Sequence, residues 1–121
     1  MREAALLHSV EAGLLRHFPS YCAELGRAEL ARFVAASRDR ARAFSFSMAE
    51  IQGFASFELI FGERYWELYE FRWARRILED KDIEVPAERF RALRDASIFH
   101  LAKMAEKEEA TYAAADQHDN G

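Results

Sequence analysis

The side chains best able to do chemistry in this sequence are four histidines, a single cysteine and one isolated carboxylate. His8, His17, His100 and His118 form no His-Glu-x-x-His run and no paired Glu-x-x-His arrangement, the spacings with which helices hold zinc or paired metal ions. His8 and Glu11 stand three residues apart and can share a helical face, but one such pair reads as a surface histidine beside a surface acid. His118, between Asp116 and Asp119, belongs to the C-terminal tail. His100 sits beside the inner stripe of the last helix and is expected to be a satisfied, partly buried histidine. No metal site is expected.

Cys22 has no second cysteine with which to form a disulfide or a zinc site. Ser37, Ser45, Ser47, Ser56 and Ser97 lack the Gly-x-Ser-x-Gly context of a nucleophile elbow. The five glycines are scattered, so no loop cradles phosphate. Glu58 is the isolated carboxylate, the only charge between Gln52 and Gly62 on the most apolar segment. If buried, it must be paired or protonated. It is expected to form an ion pair with an arginine of another helix. No second acid is placed to make a glycosidase pair with it. No enzyme, catalytic residue or cofactor is therefore expected; the alternative is a small bundle enzyme using Glu58 and a histidine.

Composition narrows the classes further. Half of the 121 residues are apolar and 31% are charged, with ten Phe, so one domain with a real core is expected. The formal charge is −4. Residues 1–62 carry seven bases and seven acids, whereas residues 63–121 carry ten bases and fourteen acids. An acidic second half opposes nucleic-acid binding, which needs a basic face, and favours a basic partner. Arg72, Arg75 and Arg76 beside Trp73 make a mixed aromatic–basic stretch, yet no polar recognition helix follows a short turn. The N-terminal segment has no unbroken apolar run, and Ile51 to Gly62 is too short to span a bilayer. A cytoplasmic protein is expected, with no membrane association.

The elements that would position these residues are helical nearly throughout: Thr occurs once, Val three times, and period-two alternation is absent. Leu6, Val10, Leu14 and Phe18 make the apolar stripe of a helix over 2–17, which Pro19 stops. Pro19 opens a short helix to Leu25. A third helix over 27–43 buries Leu30, Phe33, Val34, Ala41 and Phe44. Ser47-Met48-Ala49-Glu50 is a capping box that starts a helix to Phe61, apolar on every side and so expected at the centre of the bundle. A fifth helix is expected within 66–79, with Trp66, Tyr69, Trp73 and Ile77 facing inward. After the polar loop 80–86, Pro86 opens a last helix running to Lys107 or beyond, with Phe90, Leu93, Ser97, Leu101 and Met104 inward. The fold class is all-α: a single compact bundle of five to six helices with a buried central helix, over 1–115, and a flexible tail at 116–121.

Aromatic rings among acids mark the candidate protein interface. Its expected members are Glu63, Tyr65, Glu67, Glu70, Phe71 and Arg72, with Asp80, Asp82 and Glu84 from the loop.

The order of Leu15-Arg16-His17-Phe18-Pro19, Ala41-Arg42-Ala43-Phe44-Ser45-Phe46, the apolar helix ending in Phe61-Gly62, Trp73-Ala74-Arg75-Arg76-Ile77-Leu78 and the late Arg91-Ala92-Leu93 resembles small helical accessory proteins of bacterial type VI secretion neighbourhoods, encoded near spike, PAAR or effector genes. The chain departs from that pattern at Phe44-Ser45-Phe46 and at Glu63-Arg64-Tyr65-Trp66. The resemblance implies a cytoplasmic accessory protein whose partner is a toxin effector or its carrier. An immunity protein that neutralises a secreted toxin is the leading expectation, because an acidic, aromatic surface can occlude a basic active site; an effector-loading adaptor or chaperone is the alternative.

Overall fold

Proline and glycine set the first breaks in the chain. The computed structural model describes residues 2–119. Helix α1 (Arg2–His17) ends ahead of Pro19, and α2 (Pro19–Leu25) starts on it. Gly26, at φ 81°, then turns the chain into α3 (Arg27–Ala43). These boundaries match the sequence expectation, because proline lacks the amide a continuing helix needs and glycine tolerates positive φ.

The α3–α4 turn explains why Phe44-Ser45-Phe46 breaks the helical period. The Phe46 amide donates to the Ala41 carbonyl at 3.1 Å and the Ser45 amide to Arg42 at 2.9 Å, with Ser45 at φ 63°. This is a Schellman motif with serine in the left-handed position that glycine usually fills. The capping box then opens α4 (Met48–Phe61), where the Glu50 carboxylate accepts from the Ser47 amide at 2.7 Å.

Helix α4 is the centre of the bundle, packed on α1, α3 and α6. It buries Ile51, Phe54, Ala55, Phe57 and Glu58, while Met48 at its first turn lies open. Leu6, Val10 and Leu14 of α1 and Leu30, Phe33, Val34 and Ala41 of α3 close over it. Two glycines set close approaches: Gly13 faces the Gln52 amide and Gly53 faces the Phe90 ring.

The single helix expected within 66–79 does not form. Instead come two short 3₁₀ turns, Tyr65–Glu67 and Tyr69–Phe71, then α5 (Arg72–Leu78). Leu68, extended at φ −80° and ψ 144°, separates the turns. This break rotates the side chains away from a 3.6-residue stripe: Tyr69 is 80% exposed, not inward, whereas Tyr65 and Phe71 are buried. Trp66, Trp73 and Ile77 do pack against the core.

Helix α6 (Pro86–Asp119) has 34 residues, about 51 Å at the usual rise. Leu93 and Ser97 are buried and Phe90 packs on the core. Met104, expected inward, is exposed because the helix has run past the end of the core; residues 102–111 are exposed one after another. Residues 116–119 continue the helix, and 120–121 of the expected tail lie outside the described residues. The described residues form six α-helices and no strand.

Substitutions at three positions test this packing by chemical denaturation. Ser45→Gly removes a left-handed penalty and is expected to stabilise by about 1 kcal/mol. Gly13→Ala meets only a movable amide, so the gain in helix propensity wins and stability rises by about 0.5 kcal/mol. Gly53→Ala puts a methyl into the Phe90 ring and is expected to cost about 1 kcal/mol despite the same propensity gain.

Candidate functional site

The corner after α4 is built around one carboxylate. Glu58 is 1% exposed and accepts three kinds of donor. Ser37 Oγ donates at 2.7 Å and Arg40 Nε at 2.8 Å, both from α3. The Arg64 backbone amide donates at 2.9 Å from the chain just past Gly62. Ser37 and Arg40 are three residues apart, which places both on one face of α3. The expected interhelical ion pair is therefore present. Both of its oxygens accept from protein donors, and no histidine is among its hydrogen-bond partners among the described residues.

Arg40 links this buried acid to the surface. Its Nη2 lies 3.4 Å from Glu63 Oε1, and Arg32 Nη1 lies 3.8 Å from the same oxygen. Beside this chain of charges opens a cavity of about 410 Å³ between α2, α3 and the end of α4. Phe33, Leu25 and Leu59 give it apolar walls; Tyr21, Glu24, Arg32 and Glu63 stand around it, with Glu58 behind. Among the described residues, no cluster of three or more His, Cys, Asp or Glu side chains has the geometry of a metal site.

The expected interface residues separate into two groups. Tyr65 is fully buried and Phe71 is 9% exposed, so neither reaches a partner in this fold. Their rings pack against each other and against Phe61, with centroids 5.3, 5.1 and 5.0 Å apart. His100 is half-buried against Phe61, Phe71 and Trp73. Rings drawn as surface anchors are thus core, because the 3₁₀ turns point them inward. Glu67, Glu70, Arg72, Asp82 and Glu84 are exposed, as expected. Glu63 is tied to Arg40, and half-buried Asp80 accepts from the Asp82 amide at 2.9 Å to shape its own loop. Arg89 holds that loop from α6 by donating to the Asp80 and Ile83 carbonyls.

Sequence reasoning missed the apolar part of this surface. Leu68 and Tyr69 are exposed between Glu67 and Glu70, and the Arg72 guanidinium sits 4.2 Å over the Tyr69 ring. The i, i+3 spacing of Tyr69 and Arg72 was the available signal, masked by the assumption of one continuous helix. Among the described residues, no helix is long and apolar enough to cross a membrane.

Tyr65 has a second consequence. Its hydroxyl is buried without a hydrogen-bond partner of good geometry among the described residues. Burial and then the Glu58 charge raise its pKa above the ordinary 10.0, while Ser97 pulls weakly the other way. The folded state therefore keeps a proton that the unfolded chain releases. This contribution to stability is intact below pH 10.0 and is lost as pH rises through the folded pKa.

Tyr65→Phe is expected to hold or raise stability at pH 7 by up to about 1 kcal/mol, and to flatten the loss of stability above pH 10 followed by denaturant titration. Glu58→Gln is expected to cost about 3 kcal/mol, since it leaves Arg40 with only Glu63, at the solvent edge, as counter-charge. Glu63→Gln, at the solvent edge of the same network, is expected to cost under about 1 kcal/mol in the same urea titration.

Compared with known protein families, with curated proteins and with solved structures, the chain finds no match in any of the three.

Proposed function

We propose that this chain is a non-enzymatic, cytoplasmic protein-binding module, and that its partner is a secreted bacterial toxin which it neutralises by covering a basic surface. The observation that carries the reading is the exposed pair Leu68–Tyr69, framed by Glu67 and Glu70 on a corner held by the core. A large ring exposed on a firmly seated turn loses little entropy on binding and offers the contact area typical of interface hot spots. The acidic frame suits a basic counterpart and raises the rate of encounter with it.

Helix α6 supports the same reading. Its residues 102–111 carry no covering element, and an unpacked helical stretch of this length gains little from propensity alone. A protruding helix is a natural element for a partner to grip. The resemblance to accessory proteins of type VI secretion neighbourhoods points to an effector as the partner. The engagement of Glu58 with Ser37, Arg40 and the Arg64 amide, a structural role, supports the non-enzymatic reading.

The test uses tagged wild-type chain and a Leu68→Ala/Tyr69→Ala variant as bait in lysate of the bacterium that encodes it. Wild type is expected to retain a toxin and to restore growth when co-expressed with it. The variant is expected to keep its helical circular dichroism and lose affinity by about 30-fold, the effect of one hot spot of about 2 kcal/mol. Equal retention by both baits would overturn this surface as the binding site.

A further inference from the structure

The geometry points to the cavity beside Glu63 as a receptor for an arginine side chain carried by the partner protein; this deepens, and rests on, the protein-binding reading above. Three facts about the cavity lead there.

The first is charge. Glu24 and Glu63 line it against one cation, Arg32, while the third lining acid, Glu58, is buried and paired with Arg40. Arg32 is already engaged, 2.9 Å from Glu29 and 3.8 Å from Glu63. Arg40, behind the cavity, has its charge matched by buried Glu58 at 2.8 Å. Glu24 has no hydrogen-bond or ion-pair partner among the described residues, so a carboxylate stands free at the opening. The cavity is thus complementary to a cation.

The second is shape and wall chemistry. A volume of about 410 Å³ exceeds what a few waters need and falls within the size of ligand clefts. Leu25, Phe33 and Leu59 form walls suited to the methylene stem of a long basic side chain. Tyr21, a partly exposed lining residue, is an aromatic neighbour of the kind on which planar cations stack. A guanidinium suits such a lining better than an ammonium, because it is planar, stacks on aromatic rings and offers several donors to carboxylates.

The third is openness to solvent. Glu24 and Arg32 are exposed and Glu63 only partly covered, so a free small cation would be held on one side alone. A side chain delivered by a docked protein has already lost its translational freedom in the main contact, and so gains from a half-open site. Two other grooves lack this pattern: one is lined by a single acid, Glu11, and a single base, Arg27, beside buried Cys22, and one by Ala5, Leu6, Ser9, Met48 and Ala49 without any charge.

The test is two-dimensional amide NMR of the isolated chain titrated with Nα-acetyl-arginine amide, with its neutral isostere Nα-acetyl-citrulline amide, and with spermidine. The arginine probe is expected to bind in the millimolar range and to shift the amides of Glu24, Gly62 and Glu63. The citrulline probe is expected to bind at least about tenfold more weakly, reflecting loss of a charge-assisted contact. Glu24→Gln, a surface change that breaks no bond of the fold, is expected to weaken the arginine probe several-fold. Absent shifts, equal shifts from citrulline, or binding indifferent to Glu24→Gln would each overturn the proposal. Binding of spermidine without binding of the arginine probe would do so too, and would make the cavity a site for free amines. Because the isolated chain is titrated, failure here leaves the partner capture through Leu68 and Tyr69 standing, and failure of that capture leaves this titration readable.

Discussion

A carboxylate inside a protein must be met by donors, and the arrangement of α3, α4 and the following corner depends on meeting Glu58. Its donors come from two separate parts of the chain, Ser37 and Arg40 on α3 and the Arg64 amide beyond Gly62. The bond to Arg64 holds that residue in the left-handed region, at φ 55°. An L-residue adopts that conformation at a cost of the order of 1 kcal/mol, which the buried acceptor offsets. A network of this kind contributes more to the uniqueness of one arrangement than to raw stability, since a well-packed apolar substitute can be as stable. Here it selects the point where the chain leaves α4 and the direction in which it leaves.

Everything downstream follows from that direction. With Gly62 at φ 110° and Arg64 in the left-handed region, the chain folds back onto the end of α4 and places Tyr65 against Phe61. Leu68 then sits extended between two 3₁₀ turns, so the next large ring, Tyr69, points outward and Phe71 returns inward. Phe61, Tyr65, Phe71, Trp73 and His100 fill the space between α4, α5 and α6 with tilted and edge-on ring contacts. Such contacts add to plain burial, and each large ring also supplies much buried area per residue. A short chain gains most from this, because it has few core positions to fill.

The acidic excess of the second half is only partly available to a partner. Glu63 is engaged with Arg40 and Arg32, and Asp80 shapes its own loop. Glu67, Glu70, Asp82 and Glu84 remain on the surface. On the first half, whose formal charge balances, Glu24 stands free beside the cavity while Arg38, Arg40 and Arg42 are drawn into pairs with Glu3, Asp39 and Glu58. Recognition chemistry thus depends on which charges the fold leaves unpaired, which a count along the sequence does not reveal.

The sequence by itself determined the local elements. Pro19, Gly26, the Ser47–Glu50 box, Gly62 and Pro86 mark helix ends through bonds made within a few residues, so their meaning does not depend on the rest of the molecule. The largely apolar character of 48–61 indicated in the same way that this helix lies at the centre, since it offers no broad polar side to solvent. Only the tertiary structure decided which rings between Trp66 and Trp73 are inside. That outcome depends on the Glu58–Arg64 bond and on an extended Leu68, two features that periodicity cannot express. It also decided that Tyr65 and Phe71 are core while Leu68 and Tyr69 face solvent, and that Tyr21, Glu24, Phe33, Leu59 and Glu63 surround one cavity. These residues come from three helices and a turn, and their juxtaposition is a property of how α2, α3 and α4 pack rather than of any stretch of sequence.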